Sequence, residues 1–156
     1  MIDKNLLSST VEQAITDTNL FLVEVTVSAD NKVTVVVDSP DGVDIEQCVK
    51  LTRIIEETFD RDVEDYELEV GSAGVTAPFK VKQQYEMNIG NPVEVLTRDG
   101  RKLHATLAAV SDDFTSVTVT SPEKVKEPGS KRPKIVDVEQ TIAIDNIKSI
   151  CYEIKF

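Results

Sequence analysis

The hydrophobic rhythm of this chain changes once, at Gly71-Ser72-Ala73-Gly74, and that change limits what the chain can fold into. Upstream, stretches with apolar residues at helical spacing interleave with stretches that alternate every second residue. Downstream, nearly everything alternates. A change of rhythm at a Gly-rich stretch, with no helical pattern of any length beyond it, reads as a joint between two units. The competing reading is a phosphate-cradling loop. That would need Gly-x4-Gly-Lys-Ser/Thr running into a helix, so that amides and a lysine face the phosphates. Here no Lys-Ser/Thr follows, and Glu67 and Glu69 lie just upstream.

In the first half, Asp3 is placed to cap a helix on which Leu7, Val11, Ala14 and Ile15 share a face, with a stop near Asn19. "LFLVEVTVS" then alternates with Val23, Val25 and Val27 on one side. After the turn "ADNK", "VTVVVD" brings back Val33, Val35 and Val37, which predicts a hairpin. Asp44 and Gln47 form a capping-box pair ahead of a second helix striped by Cys48, Leu51, Thr52, Ile55 and Phe59. "YELEV" closes the unit with Tyr66, Leu68 and Val70 inward and Glu67 and Glu69 outward. The prediction is an α-β-β-α-β domain over residues 1–76, a small sheet with two helices on one face.

A junction over residues 77–90 follows, with a short helix around Phe79–Gln84. Residues 91–156 then read as five strands: "PVEVLT", "RKLHATLAAV", "FTSVTVTS", "KIVDVEQTIAI" and "SICYEIKF". The Asp99-Gly100 dipeptide marks a hairpin turn. Five short strands of this spacing predict an SH3/Sm-like β-barrel, and the chain as a whole is of the α+β class.

Charge follows the same division. Residues 1–80 hold 6 Lys and Arg against 17 Asp and Glu, whereas residues 81–156 hold 11 of each. The net charge of -11 therefore belongs to the first half. Such a field repels phosphate backbones and raises encounter rates with cationic partners by about 10- to 1000-fold at low salt. Any contact with nucleic acid is expected from the second half.

Cys48, Cys151 and the single His104 show no CxxC or Cys-His spacing, which predicts two buried, reduced thiols, with a Cys48–Cys151 disulfide as the alternative, and no metal site or cofactor. Apolar runs are far shorter than the roughly 20 residues of a membrane helix. The opening "MIDKNLLSST" lacks the features of a secretory leader. The expectation is a soluble cytoplasmic monomer.

Four constellations could carry function. The Gly71–Gly74 spacing matches the GxxG loop that clamps nucleotide backbone in KH modules, but that loop joins helices and is usually basic. "DRDVEDYELE" places six acids in ten residues. As a calcium loop it fails, with Asp65 at the sixth position and Gly71 at the twelfth. Asp62, Glu64, Asp65, Glu67 and Glu69 are instead candidates for docking Arg and Lys of a protein partner. His104 lacks a second imidazole or a nucleophile on a sharp turn, so no catalytic set can be named. Arg98, Arg101 and Lys102 at one predicted hairpin tip, with Lys131, Arg132 and Lys134 at another, are candidate rRNA backbone contacts. With no Trp and eight Phe and Tyr, the chain offers little base-stacking surface.

Three segments in this order resemble the bacterial ribosome maturation factor RimP family. "GVDIEQCVKLTRIIEETFD" matches the family's helix at Asp44, Cys48, Thr52 and Arg53. "YELEVGSAGVTAPFK" matches at Tyr66, Leu68, Glu69, Val70, Ser72, Gly74 and Pro78. "IGNPVEVLTRDGRKLHATLAAV" with "IAIDNIKSI" is similar to its barrel domain. Thr76 and Ala77 stand where the family has an Asp-Arg pair, and Gly71 and Ala73 where it has Ser and Pro, which loosens the junction built from Gly71, Ser72, Gly74 and Pro78.

The resemblance implies a non-catalytic role in assembling the small ribosomal subunit. Family members associate with free small subunits and aid incorporation of a very basic ribosomal protein. An acidic first domain suits such a partner. The alternative is a stand-alone RNA-binding module of KH plus Sm-like type. A third reading gives the acidic strip a divalent ion in an enzyme.

Overall fold

A computed structural model describes residues 1–126, 128–129 and 131–154. It divides after Gly74 into two compact units, Met1–Gly74 and the segment from Val75 onward. No helix among the described residues is long and apolar enough to cross a membrane.

The first unit runs α1 (Lys4–Ile15), β1 (Phe21–Val27), β2 (Lys32–Asp38), α2 (Ile45–Thr58) and β3 (Glu67–Ser72). The α-β-β-α-β order is the predicted one. Asp3 caps α1, accepting from the amides of Asn5 and Leu6. Asp44 and Gln47 cap α2 reciprocally: the Gln47 amide donates to Asp44 at 2.7 Å, and the Asp44 amide donates to the Gln47 side chain at 3.0 Å. These bonds occupy orphan amides that a helix start cannot satisfy internally. The first helix stops earlier than expected. Thr16 is its C-cap, and it is Asp17, not Asn19, that takes the left-handed conformation at φ 65°.

The sheet has order β1-β2-β3, with β1 antiparallel to β2 and β3 parallel to it. Leu7, Val11 and Ile15 of α1, and Leu51 and Ile55 of α2, bury one sheet face together with Val25, Val33, Val35, Val37 and Tyr66. Fully burying a side chain such as Leu7 or Ile55 contributes about 1.5–3 kcal/mol. One predicted face is wrong. A bulge in β1 between Leu22 and Glu24 adds Val23 as an extra residue, so Leu20, Leu22, Val25 and Val27 pack on the core and Val23 does not. The third strand is also longer than "YELEV". Gly71 and Ser72 pair with Val36 and Val37, and the Ala73 amide still donates to the Val37 carbonyl.

The second unit holds α3 (Lys82–Met87), β4 (Pro92–Thr97), β5 (Lys102–Val110), β6 (Ser116–Val125), β7 (Lys134–Ala143), a 3-10 turn (Ile144–Asn146) and β8 (Ile147–Tyr152). The short helix starts later than expected, because the Gln84 side chain accepts from the Lys80 and Val81 amides and holds the chain extended up to Val81. Val93, Val95, Leu107, Val117, Val119 and Ile150 fill the core. Tyr85 of α3 closes it, packed edge-on against Phe79 and Phe114 at 5.3 and 5.2 Å.

All five strands are antiparallel, in the order β7-β6-β5-β4-β8. No pairing joins β7 to β8 among the described residues, so the hydrogen-bond order is that of an open sheet. The third and fourth strands make a longer hairpin than their sequence implies. The last β5 rung is Thr106 with Thr120, whereas β6 pairs with β7 onward from Ser121 to Val125. Pro122 lies in this extension, where β6 has only β7 beside it and a missing amide donor is tolerated. The expected final strand stops at Tyr152, and its Lys155 and Phe156 lie outside the described residues.

Candidate functional site

The acidic run of the first unit begins in the connection between α2 and β3. Asp60 shapes that turn: its carboxylate accepts from the Asp62 amide at 2.8 Å, and its carbonyl accepts from the amides of Val63 and Glu64. Arg61 folds back over the Tyr66 ring at 5.1 Å and pairs with Glu56 at 3.4 Å. Tyr66 is raised above the ordinary phenol pKa by burial, and its hydroxyl donates to the Phe59 carbonyl at 2.7 Å.

The five acids proposed for docking fall into two groups. Glu64 is engaged in the fold itself, pairing with the Met1 amino group and accepting from the Asn31 side-chain amide at 3.2 Å. The Asp65 carbonyl accepts from the same amide at 2.8 Å. Glu67 and Glu69, by contrast, project from β3 on the sheet face away from the helices, as expected from alternation. In register beside them are Lys32 and Thr34 of β2, and Thr26 of β1 continues the Glu69 row. Asp62 is exposed in the turn. The outer sheet face thus presents hydroxyls and carboxylates with Lys32 beside Glu67, and its carboxylates suit guanidinium and ammonium donors.

The Gly71–Gly74 stretch does not form an anion cradle. Gly71 and Ser72 continue β3 with paired backbone, and the next helix is α3, eight residues beyond Gly74. Both glycine-loop readings require a helix at the loop.

The basic candidates also divide. At the β4–β5 turn, Arg98 donates through Nε to the Asp145 carbonyl at 2.9 Å, Arg101 pairs with Asp99 at 3.4 Å, and Lys102 pairs with Glu94 at 3.3 Å. Asp99 is held below the usual carboxylate range, first by the Thr97 hydroxyl and also by Arg101. All three cations remain exposed. Lys131, Arg132 and Lys134 are exposed where the β6–β7 hairpin turns back, and Ile135 and Val136 beside them leave 70% and 40% of their surface open.

Sequence reasoning missed two clusters. Asn31, read only as a turn residue, adopts φ 63° and joins three segments: its side chain accepts from the Ile2 amide at 2.9 Å and donates to Glu64 and Asp65. In the second unit, Glu94, His104 and Glu153 come together on the outer face of the sheet, and His104 Nδ1 lies 2.7 Å from Glu153. Alternation did place His104 opposite Leu103. Its neighbours depend on strand register, which no local spacing reveals.

Comparison with known proteins gives a class first: residues 10–76 match the RimP N-terminal domain, so the acidic α-β-β-α-β unit is a domain of that kind. The chain belongs to the ribosome maturation factor RimP family. It is 40% identical over 148 residues to "Ribosome maturation factor RimP" of Porphyromonas gingivalis (strain ATCC BAA-308 / W83), covering 95% of this chain and 96% of that one. The protein of the same name from Flavobacterium psychrophilum is 34% identical over 127 residues, covering 81% of this chain and 82% of the relative. That from Christiangramia forsetii is 31% identical over 138 residues, covering 88% of each.

Proposed function

We propose that this chain is a cytoplasmic, non-catalytic maturation factor for the small ribosomal subunit. Its first unit attracts a basic ribosomal protein, using the exposed side chains of Asp62, Asp65, Glu67 and Glu69 while Glu64 secures the fold. Its second unit acts as an SH3/Sm-like barrel whose Lys131, Arg132 and Lys134 lie against the rRNA backbone, with Arg98, Arg101 and Lys102 adding charge. Gly71, Ser72, Gly74 and Pro78 carry the chain from one unit to the next. The protein works as a monomer.

One observation carries this reading beyond family membership. The unit Met1–Gly74 holds 5 Lys and Arg against 17 Asp and Glu, while the rest of the chain is close to balanced. Charge so confined favours attraction of a cationic protein over readout of nucleic acid. The test is sucrose-gradient fractionation of a lysate with detection of this chain. Co-sedimentation with free small subunits, and not with intact ribosomes, is expected. A chain that stays at the top of the gradient, or travels with intact ribosomes, overturns the proposal.

A further inference from the structure

The outer face of the second unit's sheet gathers donors of a kind that binds transition ions. Glu94 of β4 lies in register with His104 of β5 on one side and Cys151 of β8 on the other. Directly paired residues of a sheet point to the same face, so these three form one rung across three strands. Glu153 follows two residues after Cys151, and its amide extends the β8 pairing by donating to the Pro92 carbonyl at 2.9 Å. The candidate ligand atoms of Glu94, His104 and Glu153 all lie within 4.8 Å of one another.

Two further features mark this group out from an ordinary surface ion pair. Glu153 keeps one oxygen, Oε2, shielded from solvent with no hydrogen-bond partner, although its Oε1 sits 2.7 Å from His104 Nδ1. A shielded carboxylate oxygen without a donor is costly, and an ion in contact with the group would relieve that cost. Glu94 and His104 also stand on paired strands, and Glu153 lies one residue beyond β8 with its amide bonded back to Pro92, which fixes the three backbones before any ligand arrives.

We propose that Glu94, His104 and Glu153 form a binding site for a divalent transition ion of the zinc type, with water completing the coordination shell. One imidazole and two carboxylates suit such an ion; hard cations such as calcium and magnesium prefer oxygen alone. At tetrahedral angles, bonds of about 2.0–2.2 Å put two donors on one zinc about 3.3–3.6 Å apart. Since His104 and Glu153 already meet, the set contracts mainly by Glu94 turning inward, away from Lys102. Lys102 therefore competes with the ion for Glu94. This site uses none of the acids assigned to the protein partner, and it stands or falls apart from the ribosomal reading.

The experiment uses the full untagged chain, stripped with a chelator and titrated with zinc chloride by calorimetry while the imidazole ring is followed by NMR. His104 is the single histidine, so its ring signals are unambiguous. Saturation at one zinc per chain is expected, with the ring signals changing in step. His104→Ala and Glu153→Gln each weaken binding by at least about tenfold, the lower bound for losing even an outer-shell partner. Lys102→Ala tightens it, an effect that a merely structural ion pair does not predict. A Cys48→Ser/Cys151→Ser double variant still binds. Circular dichroism melting of each variant shows that the fold is retained. The proposal is overturned if the ring signals stay fixed at one equivalent, if His104→Ala binds like the parent, if the double Cys variant loses binding, or if magnesium and calcium bind as well as zinc.

Discussion

The side-chain amide of Asn31 donates to the carbonyl of Asp65 at 2.8 Å, across 34 residues of sequence. The same side chain accepts from the Ile2 amide and reaches Glu64, so one turn residue ties the start of the chain to the approach of β3. Asn31 also sits at φ 63°, where most L-residues are strained. Asn31→Ala should cost about 2–3 kcal/mol, from lost hydrogen bonds and from left-handed backbone. Asn31→Gly removes only the former and should be milder by about 1 kcal/mol. Urea denaturation of both variants checks the order; equal losses would show that backbone conformation contributes nothing.

Leu22 and Val23 are adjacent apolar residues with opposite fates at the β1 bulge. Leu22 packs on the core, and Leu22→Ala should cost about 2 kcal/mol or more. Val23 lies outside that cluster, and Val23→Ala should cost less than about 1 kcal/mol. Equilibrium unfolding midpoints of the two variants decide the matter. The reverse order would mean that β1 is regular and that Val23 faces inward.

Asp113, in the β5–β6 turn, is held below the ordinary carboxylate pKa of 3.8 by the Thr115 hydroxyl first and Ser111 second. A carboxyl depressed in the folded state stabilises above its unfolded pKa, and that contribution is lost as pH falls through the lower folded value. Asp113→Asn should therefore lower the melting temperature at neutral pH and make little difference near pH 2. The measurement is melting temperature against pH for parent and variant; a constant gap down to that acidity refutes the assignment.

Glu67 and Glu69 face outward on β3, and Asp62 is exposed nearby in sequence. Reversing all three to Lys should slow association with a basic ribosomal protein by about tenfold or more at low salt and flatten the salt dependence. Stopped-flow mixing across ionic strengths provides the check. The fold should survive, since none of these side chains lies in the core.

Most of the scaffold was readable from the residues because periodicity reports burial directly. Leu7, Val11 and Ile15 share a helix face, Val33, Val35 and Val37 share a strand face, and the Asp44–Gln47 box starts its helix where the spacing put it. Failures occurred where pairing, not pattern, decides. The bulge at Val23 adds one residue to a clean alternation, and nothing in "LFLVEVTVS" marks which residue is extra. The predicted strand "FTSVTVTS" ends before Pro122, yet β6 continues through it in a two-stranded extension that tolerates a missing donor. The candidate sites were harder still. The sequence showed Glu64 as one acid in a run, whereas its bond to Asn31 and its pairing with Met1 are tertiary events. The meeting of Glu94, His104 and Glu153 likewise depends on register over residues 94–153.

The parallel pairing of β2 with β3, from Lys32 beside Glu67 to Val37 beside Ser72, has a consequence for synthesis. The β1–β2 hairpin can form as soon as its own residues emerge, because its contacts are local. The inner strand then waits with one bare edge until α2 has been made and β3 follows it out. During elongation this unit is therefore exposed to mispairing until Ser72 has emerged, and slow translation after β2 is out would prolong that vulnerable interval.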